Sequence, residues 1–122
     1  MPNYNMQVPP YSIFPGDVAL AFNNEAPSAG QASQQFALAS YAGFPENGRT
    51  IRWQTLFGGS PSAVNIVLQT AMSDSDAQYA TLDTSTATSG EARTITGVRA
   101  NFIRAKVTSI TGGSGVTVQI LG

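Results

Sequence analysis

Three aspartates, Asp74, Asp76 and Asp83, form the only grouping of carboxylates in this sequence of 122 residues. Carboxylates in turns can bind Ca²⁺, and two opposed carboxylates can hydrolyse a glycosidic bond. The spacing does not match an EF-hand loop and does not indicate two positions facing each other across a cleft. Since Asp and Ser are common turn formers, the sequence favours a structural turn over a calcium or catalytic site.

Four basic residues lie close together near the end of the sequence: Arg93, Arg99, Arg104 and Lys106. They could form a basic patch, but Glu91 is nearby and the formal net charge of −1 provides no positive field. We therefore expect a solvated sheet face or a protein interface at these residues. Binding of nucleic acid is disfavoured because the sequence has neither the net positive charge nor the run of basic residues that such binding normally needs.

The single tryptophan, Trp53, could form a sugar-stacking platform together with Tyr41 and Tyr79. However, Trp53 alternates in step with Ile51 and Phe57, and this period of two is typical of the inner face of a strand. Core packing is the favoured interpretation.

Missing side chains exclude most enzyme chemistry. The sequence contains no His and no Cys, so it cannot form a His-based triad, a Cys nucleophile, a disulfide or a Cys/His zinc site. A glycine-rich segment at 112–115 lacks the Lys-Ser/Thr pair and the following helix of a phosphate-binding loop, and it predicts a hairpin turn instead. We predict that the protein is not an enzyme and uses no metal or cofactor.

Charged residues make up only 11% of the chain, against about 25% in an average soluble domain. Low charge removes the repulsion that keeps copies apart, so we expect a homo-oligomer, either a trimer or a dimer. The N-terminus has neither the basic nor the apolar region of a secretory signal, which predicts that the chain stays in the cytoplasm where it is made. The longest uncharged stretch, 53–73, is interrupted by Gly, Pro and polar residues, so no membrane span is predicted.

Residues 1–16 contain four prolines and no charged side chain, and they predict an extended arm rather than a helix. Large apolar side chains recur along this segment, whereas disordered tails are usually charged and poor in aromatics. We expect the arm to bind a neighbouring subunit; a loosely packed terminus is the alternative. The predicted partner-binding residues are Tyr4, Met6, Val8, Tyr11, Ile13 and Phe14.

Residues 17–122 predict a single all-β domain of about eight strands, a jelly-roll-like antiparallel sandwich. Alternating apolar residues indicate strands at 17–22, 34–41, 49–57, 63–70, 79–83, 92–96, 101–110 and 116–121. At 34–41 the alanines leave a short helix as the alternative. Segments 58–61 and 112–115 are predicted hairpin turns. The predicted core consists of Leu20, Phe36, Ile51, Trp53, Val64, Ile66, Leu68, Ile103, Val107, Val118 and Ile120.

The second half of the chain, residues 62–122, resembles small β-sandwich structural proteins of tailed bacteriophages. The resemblance rests on the strand segments 64–70 (VNIVLQT), 79–84 (YATLDT), 93–98 (RTITGV), 102–109 (FIRAKVTS) and 116–120 (VTVQI), with turns at 73–76 and 112–113. Such proteins often have Asp-Gly and a Trp near the first turn, where this chain has Ala77 and Tyr79.

The resemblance implies a virion component, namely a capsid cement or decoration protein at the capsid surface that binds the major capsid protein or other virion subunits. A small, weakly charged β domain with an apolar arm is physically suited to this role. The alternative is a tail or head-fibre adhesion module that binds host-surface carbohydrate.

Overall fold

The computed structural model describes residues 11–14, 16–38, 48–73 and 75–122. In these residues a 3₁₀ turn at Asp76–Gln78 accompanies eight strands, which are β1 (Tyr11–Ile13), β2 (Val18–Glu25), β3 (Gln31–Ala32), β4 (Phe36–Leu38), β5 (Arg49–Ala71), β6 (Ala80–Ser85), β7 (Glu91–Val98) and β8 (Phe102–Leu121). No helix in the described part of the chain has the length and apolar character needed to cross a bilayer.

Two long strands organise the fold. β5 and β8 pair antiparallel almost from end to end, from Arg52 opposite Leu121 to Ala71 opposite Phe102. Halfway along, both strands pass through their glycine-rich segments while still paired, with Gly59 opposite Ser114. The hairpin turns predicted at 58–61 and 112–115 are therefore wrong.

The physical reason is that these segments bend the ladder without ending it. Gly112, Gly113 and Gly115 have positive φ values of 70°, 77° and 61°, which residues with a side chain rarely adopt. A register shift between Pro61 and Ala63 adds a bulge at the same place. Bulges and glycine kinks are the usual means of curving a sheet.

The bend divides the sheet into two layers. The first layer contains β7, the first half of β5, the second half of β8, and β2; the second contains β6, the second half of β5, the first half of β8, and then β3, β4 and β1. Both layers contribute to a single hydrophobic core. The predicted all-β sandwich-like fold is confirmed, although the β1–β4 pair is parallel, so the sheet is mixed rather than purely antiparallel.

The core follows the predicted alternation along the two long strands. All predicted core residues are buried except Leu20. Strict alternation in β2 puts the predicted core residue Leu20 on the same face as Val18 and Phe22, but the buried residues are Ala19, Ala21 and Phe22. A register shift between Leu20 and Phe22 explains the difference, because the additional residue of a bulge reverses the face on which side chains lie.

The base of the predicted arm belongs to the domain itself. β1 pairs with β4, and Ile13 is fully buried in the core. The prediction that Ile13 binds a partner is therefore wrong, because its side chain already packs inside its own domain. Phe14 is partly exposed, and Gly16 N–H donates a 2.7 Å hydrogen bond to the carbonyl of Gly122. Tyr4, Met6 and Val8, and the side chain of Tyr11, lie outside the described residues.

Candidate functional site

Polar side chains gather at one edge of the sandwich, between β7 of the first layer and β6 of the second. Both strands pair with β5, and the register places Arg93 beside Trp53 and Glu91 beside Thr55 on the inward side. In the second layer, Asp83 of β6 lies opposite the buried Leu68 of β5, so the side chain of Asp83 also points inward. We call this group the interlayer polar cluster; its members are Trp53, Thr55, Asp83, Ser85, Glu91 and Arg93.

Hydrogen bonds connect the interlayer polar cluster from one layer to the other. Oδ2 of Asp83 accepts from Nε1 of Trp53 at 2.9 Å and from Nε of Arg93 at 2.8 Å. The Ser85 hydroxyl donates to Oε2 of Glu91 at 2.7 Å, and a guanidinium nitrogen of Arg93 lies 3.3 Å from Oε1 of the same carboxylate. The cluster therefore holds β6 and β7 together across the open edge of the sandwich.

The electrostatics of the cluster favour its charged form. Burial raises the pKa of Asp83, but the hydrogen bonds from Arg93 and Trp53, with a further bond from the backbone at Thr84 and the positive charge of Arg93, lower it by more, so the pKa lies below the usual range of an aspartate. The hydrogen bond to Asp83 and its negative charge raise the pKa of Arg93. Asp83 is thus an ionised acceptor with its donors in place, which suits a structural clamp better than a general acid.

A second ion pair lies on the outer side of the second layer. Arg104 donates to Oε1 of Gln69 at 2.9 Å and to Oδ1 of Asp76 at 2.6 Å. Its guanidinium carbon lies 4.0 Å from the ring centroid of Tyr79, a cation–π distance. These contacts attach the 3₁₀ turn to the sheet.

The predicted carboxylate grouping is not assembled as a site. Asp76 binds Arg104 on the outer side of the second layer, whereas Asp83 lies in β6, faces inward and binds Trp53 and Arg93. The favoured assignment of Asp83 to a turn is wrong, because β6 extends through it to Ser85. Asp74 lies outside the described residues. No group of three potential metal ligands occurs among the residues that the structure describes.

The four basic residues also separate. Arg93 faces inward at the edge of the first layer, and Arg104 and Lys106 alternate with the buried Ala105 on the outer side of the second layer. Arg99 is exposed in the connection between β7 and β8. The structure therefore does not bring all four residues into one patch.

Trp53 is almost completely buried, which confirms its predicted packing in the core. The alternative, a sugar platform, is wrong because the Trp53 ring has no exposed face, and Tyr79 stacks on Arg104 instead. Tyr41 lies outside the described residues.

Sequence reasoning missed Thr55, Ser85 and Glu91. The period of two in β5 places Thr55 on the same side as Trp53, so this residue could have been found. Glu91 and Ser85 lie on strands of different layers, and nothing in their local sequence shows that they meet.

No protein-family model matches the chain, and no curated protein matches its sequence. The chain is similar in fold to the SPBc2 prophage-derived protein YomS. The TM-score is 0.53, and the match covers 97% of this chain and 96% of YomS at 16% sequence identity. At this identity the likeness to YomS establishes a shared fold.

Proposed function

We propose that this chain is a virion structural protein of a tailed bacteriophage, a cement or decoration protein that binds and stabilises neighbouring capsid subunits. The observation that carries the proposal is the fold similarity to YomS, a prophage-derived protein, over nearly the full length of both chains. The resemblance of residues 62–122 to phage β-sandwich proteins supports the same assignment from the sequence side.

The chemistry of the described residues also supports a structural role. The two described aspartates that suggested calcium binding or hydrolysis, Asp76 and Asp83, are both engaged in ion pairs that hold elements of the fold together. One pair joins the two layers and the other attaches the 3₁₀ turn. A protein that reinforces a shell gains from such contacts, because it must keep its shape while it binds its neighbours.

In this proposal the apolar arm residues Tyr4, Met6 and Val8 contact the major capsid protein or another virion subunit. Burying their side chains in a groove contributes about 25 cal/mol per Å² of apolar area. Ile13 is buried in the core, so the chain that follows the proposed arm is fixed to the domain at this residue. Proline stiffness reduces the entropy that the arm loses on docking.

Quantitative mass spectrometry and cryo-electron microscopy of purified particles test the proposal. We expect many copies of the chain per particle and density for a small β domain on the outside of the capsid. Particles made without the chain should lose heat resistance and recover it when purified protein is added. Absence from purified particles, or density only on the tail, contradicts the cement role; tail-tip density with glycan binding supports the adhesion alternative.

A full-length variant carrying Tyr4→Ser, Met6→Ser and Val8→Ser tests the arm separately. We expect it to fold normally and to lose incorporation into particles. Met72→Ser is the matched control, since Met72 is a large, exposed apolar residue outside the arm. Normal incorporation of the arm variant contradicts this part of the proposal.

A further inference from the structure

Residues 80–98 form one segment that crosses the open edge of the sandwich. β6 pairs with the second half of β5, β7 pairs with the first half, and the connection 86–90 passes from the second layer to the first. Among the described residues, β6 and β7 each pair with β5 alone. We call residues 80–98 the strap. In the sheet, the strap is therefore paired with a single strand of the rest of the fold.

The strap contributes little to the hydrophobic core. Val98, at its end, is buried, and Leu82 and Ile95 are partly buried against the core. The other residues of the core cluster lie in β1, β2, β4, β5 and β8, which pair with one another without the strap. Segments with few buried apolar contacts open at a lower free energy than the whole fold. The strap has the composition of such a segment.

Polar contacts hold the strap closed, and the ion pairs among them lie within the strap itself. The Asp83 carboxylate on β6 accepts a hydrogen bond from Nε of Arg93 on β7, and the Ser85 hydroxyl on β6 donates to Glu91 on β7. β5 adds the indole N–H of Trp53, which donates to Asp83. We call Asp83, Glu91 and Arg93 the latch, because they join the two strands of the strap across the layers.

We infer that the strap opens as one unit while β5 and β8 stay paired, and that the latch sets how often it opens. Opening separates β6 and β7 from the two halves of β5 and brings water to the indole of Trp53. The closed state depends on the latch because the strap buries too few apolar side chains to hold itself against the core. This conformational device belongs to the isolated domain and goes beyond the proposed function.

Among the described residues, the charge of the latch comes from the strap itself. The members of the interlayer polar cluster that β5 supplies are uncharged, and β8 places apolar residues opposite them. Arg52 of β5 lies on the outer side and donates a 3.0 Å hydrogen bond to the hydroxyl of Thr94 on β7. Arg49, at the start of β5, donates a 3.5 Å hydrogen bond to the carbonyl of Ile13.

Acid should open the strap before it unfolds the domain. Asp83 and Glu91 both pair with the same arginine, Arg93. Because the folded pKa of Asp83 is lowered, its stabilising contribution is present above the unfolded pKa of about 4 and is lost as the pH falls through the folded pKa. The backbone ladder between β5 and β8 does not titrate, so it outlasts the latch.

Hydrogen exchange of the full-length chain, measured residue by residue by NMR at neutral pH, tests the inference. We expect the amides that join the strap to β5 to exchange as a group, at least about 10-fold faster than the amides that join β5 to β8. The comparison can be made within β5, whose amides bond to the strap on one side and to β8 on the other. A single exchange rate for both sets overturns the inference.

The double variant Asp83→Asn with Glu91→Gln tests the latch. It removes both ion pairs and should accelerate exchange of the amides between the strap and β5 by about 10- to 100-fold, with no change between β5 and β8. Glu25→Gln is the matched control, because Glu25 is an exposed carboxylate that accepts a hydrogen bond from Asn23 in its own strand. Unchanged exchange of the strap in the double variant overturns the role of the latch.

The single tryptophan gives a measurement that does not depend on how the variants fold. Trp53 is almost completely buried, so quenching of its fluorescence by acrylamide reports opening of the strap. As the pH of the unmodified chain is lowered, we expect quenching to rise before the far-UV circular dichroism of the sheet is lost. Coincident changes in the two signals would mean that acid unfolds the domain in one step, and would overturn the inference.

Discussion

Nε1 of Trp53 donates a 2.9 Å hydrogen bond to Oδ2 of Asp83, and this bond joins β5 in the centre of the first layer to β6 at the edge of the second. The ring of Trp53 lies in the core, so its one polar atom has to find an acceptor inside the protein. Asp83 supplies the acceptor and Arg93 neutralises its charge. A buried aromatic side chain thus depends on an ion pair at the sandwich edge.

The first prediction concerns Asp83 and pH. Its folded pKa is lowered, so its stabilising contribution is present above the unfolded pKa of about 4 and is lost as the pH falls through the folded pKa. We expect Asp83→Asn to lower the free energy of unfolding at neutral pH by about 1 to 3 kcal/mol and to reduce the loss of stability in acid. Urea unfolding at a series of pH values measures both effects.

Asp76→Asn is the matched control, because the Asp76 side chain is 93% exposed although it is also paired with an arginine. The Arg104 side chain is only 11% exposed, but in the variant it keeps its hydrogen bond to Gln69 and its contact with the Tyr79 ring, so we expect a loss of about 1 kcal/mol or less. Equal losses of unfolding free energy for the two variants would show that the interlayer polar cluster stabilises the fold no more than the Asp76–Arg104 pair does.

The second prediction compares inward and outward residues. Ile66 and Leu68 are completely buried, so Ile66→Ala or Leu68→Ala should cost about 2 to 5 kcal/mol of unfolding free energy. Leu20→Ala should cost less than about 0.5 kcal/mol in the monomer, because Leu20 faces outward. Denaturant unfolding at low protein concentration measures the unfolding free energy of each variant. A large loss for Leu20→Ala would mean that Leu20 is buried and that the β2 bulge lies elsewhere.

The third prediction concerns the bend of the long strands. A methyl group at Gly113 would lie 2.8 Å from the backbone nitrogen of Pro61 and 2.9 Å from the carbonyl oxygen of Gly59, so the paired strand would have to move. Gly112 has a similar positive φ, but a methyl group there would meet no atom closer than 3.9 Å. Gly113→Ala should therefore destabilise the fold by about 1 to 3 kcal/mol more than Gly112→Ala.

Thermal and urea unfolding of the two glycine variants measure this difference. The comparison removes the cost of positive φ, which both alanines share. Equal stabilities would mean that the two strands do not approach each other closely at the bend.

The fourth prediction concerns the N-terminal boundary of the folded domain. Ile13→Ala should cost about 2 to 5 kcal/mol, because Ile13 is a fully buried core residue next to β4. Tyr4→Ser should change the unfolding free energy little if Tyr4 belongs to an arm that serves a partner. Unfolding curves of both full-length variants test this, and an equal loss at Tyr4 would indicate that the arm packs on its own domain.

The sequence by itself determined most of the core and most of the residues that form strands, but it divided β5 and β8 into two predicted strands each and missed β1 and β3. Alternation is a local property, since successive side chains of any strand point to opposite faces, and it correctly placed Ile51 and Trp53 inward, as well as Ile66 and Leu68. The same period placed Thr55 beside Trp53. It failed in β2, where a bulge depends on the register with β8.

Only the tertiary structure decided how these strands connect and which polar residues meet. A glycine-rich segment permits both a turn and a bend, and pairing between residues far apart in sequence, such as Gly59 with Ser114, selects the bend. In the same way, Asp83 and Arg93 meet because their strands pair with different halves of β5, and the bend in β5 brings these halves into facing layers. Contacts of this kind depend on the path of the whole chain, and local sequence does not encode them separately.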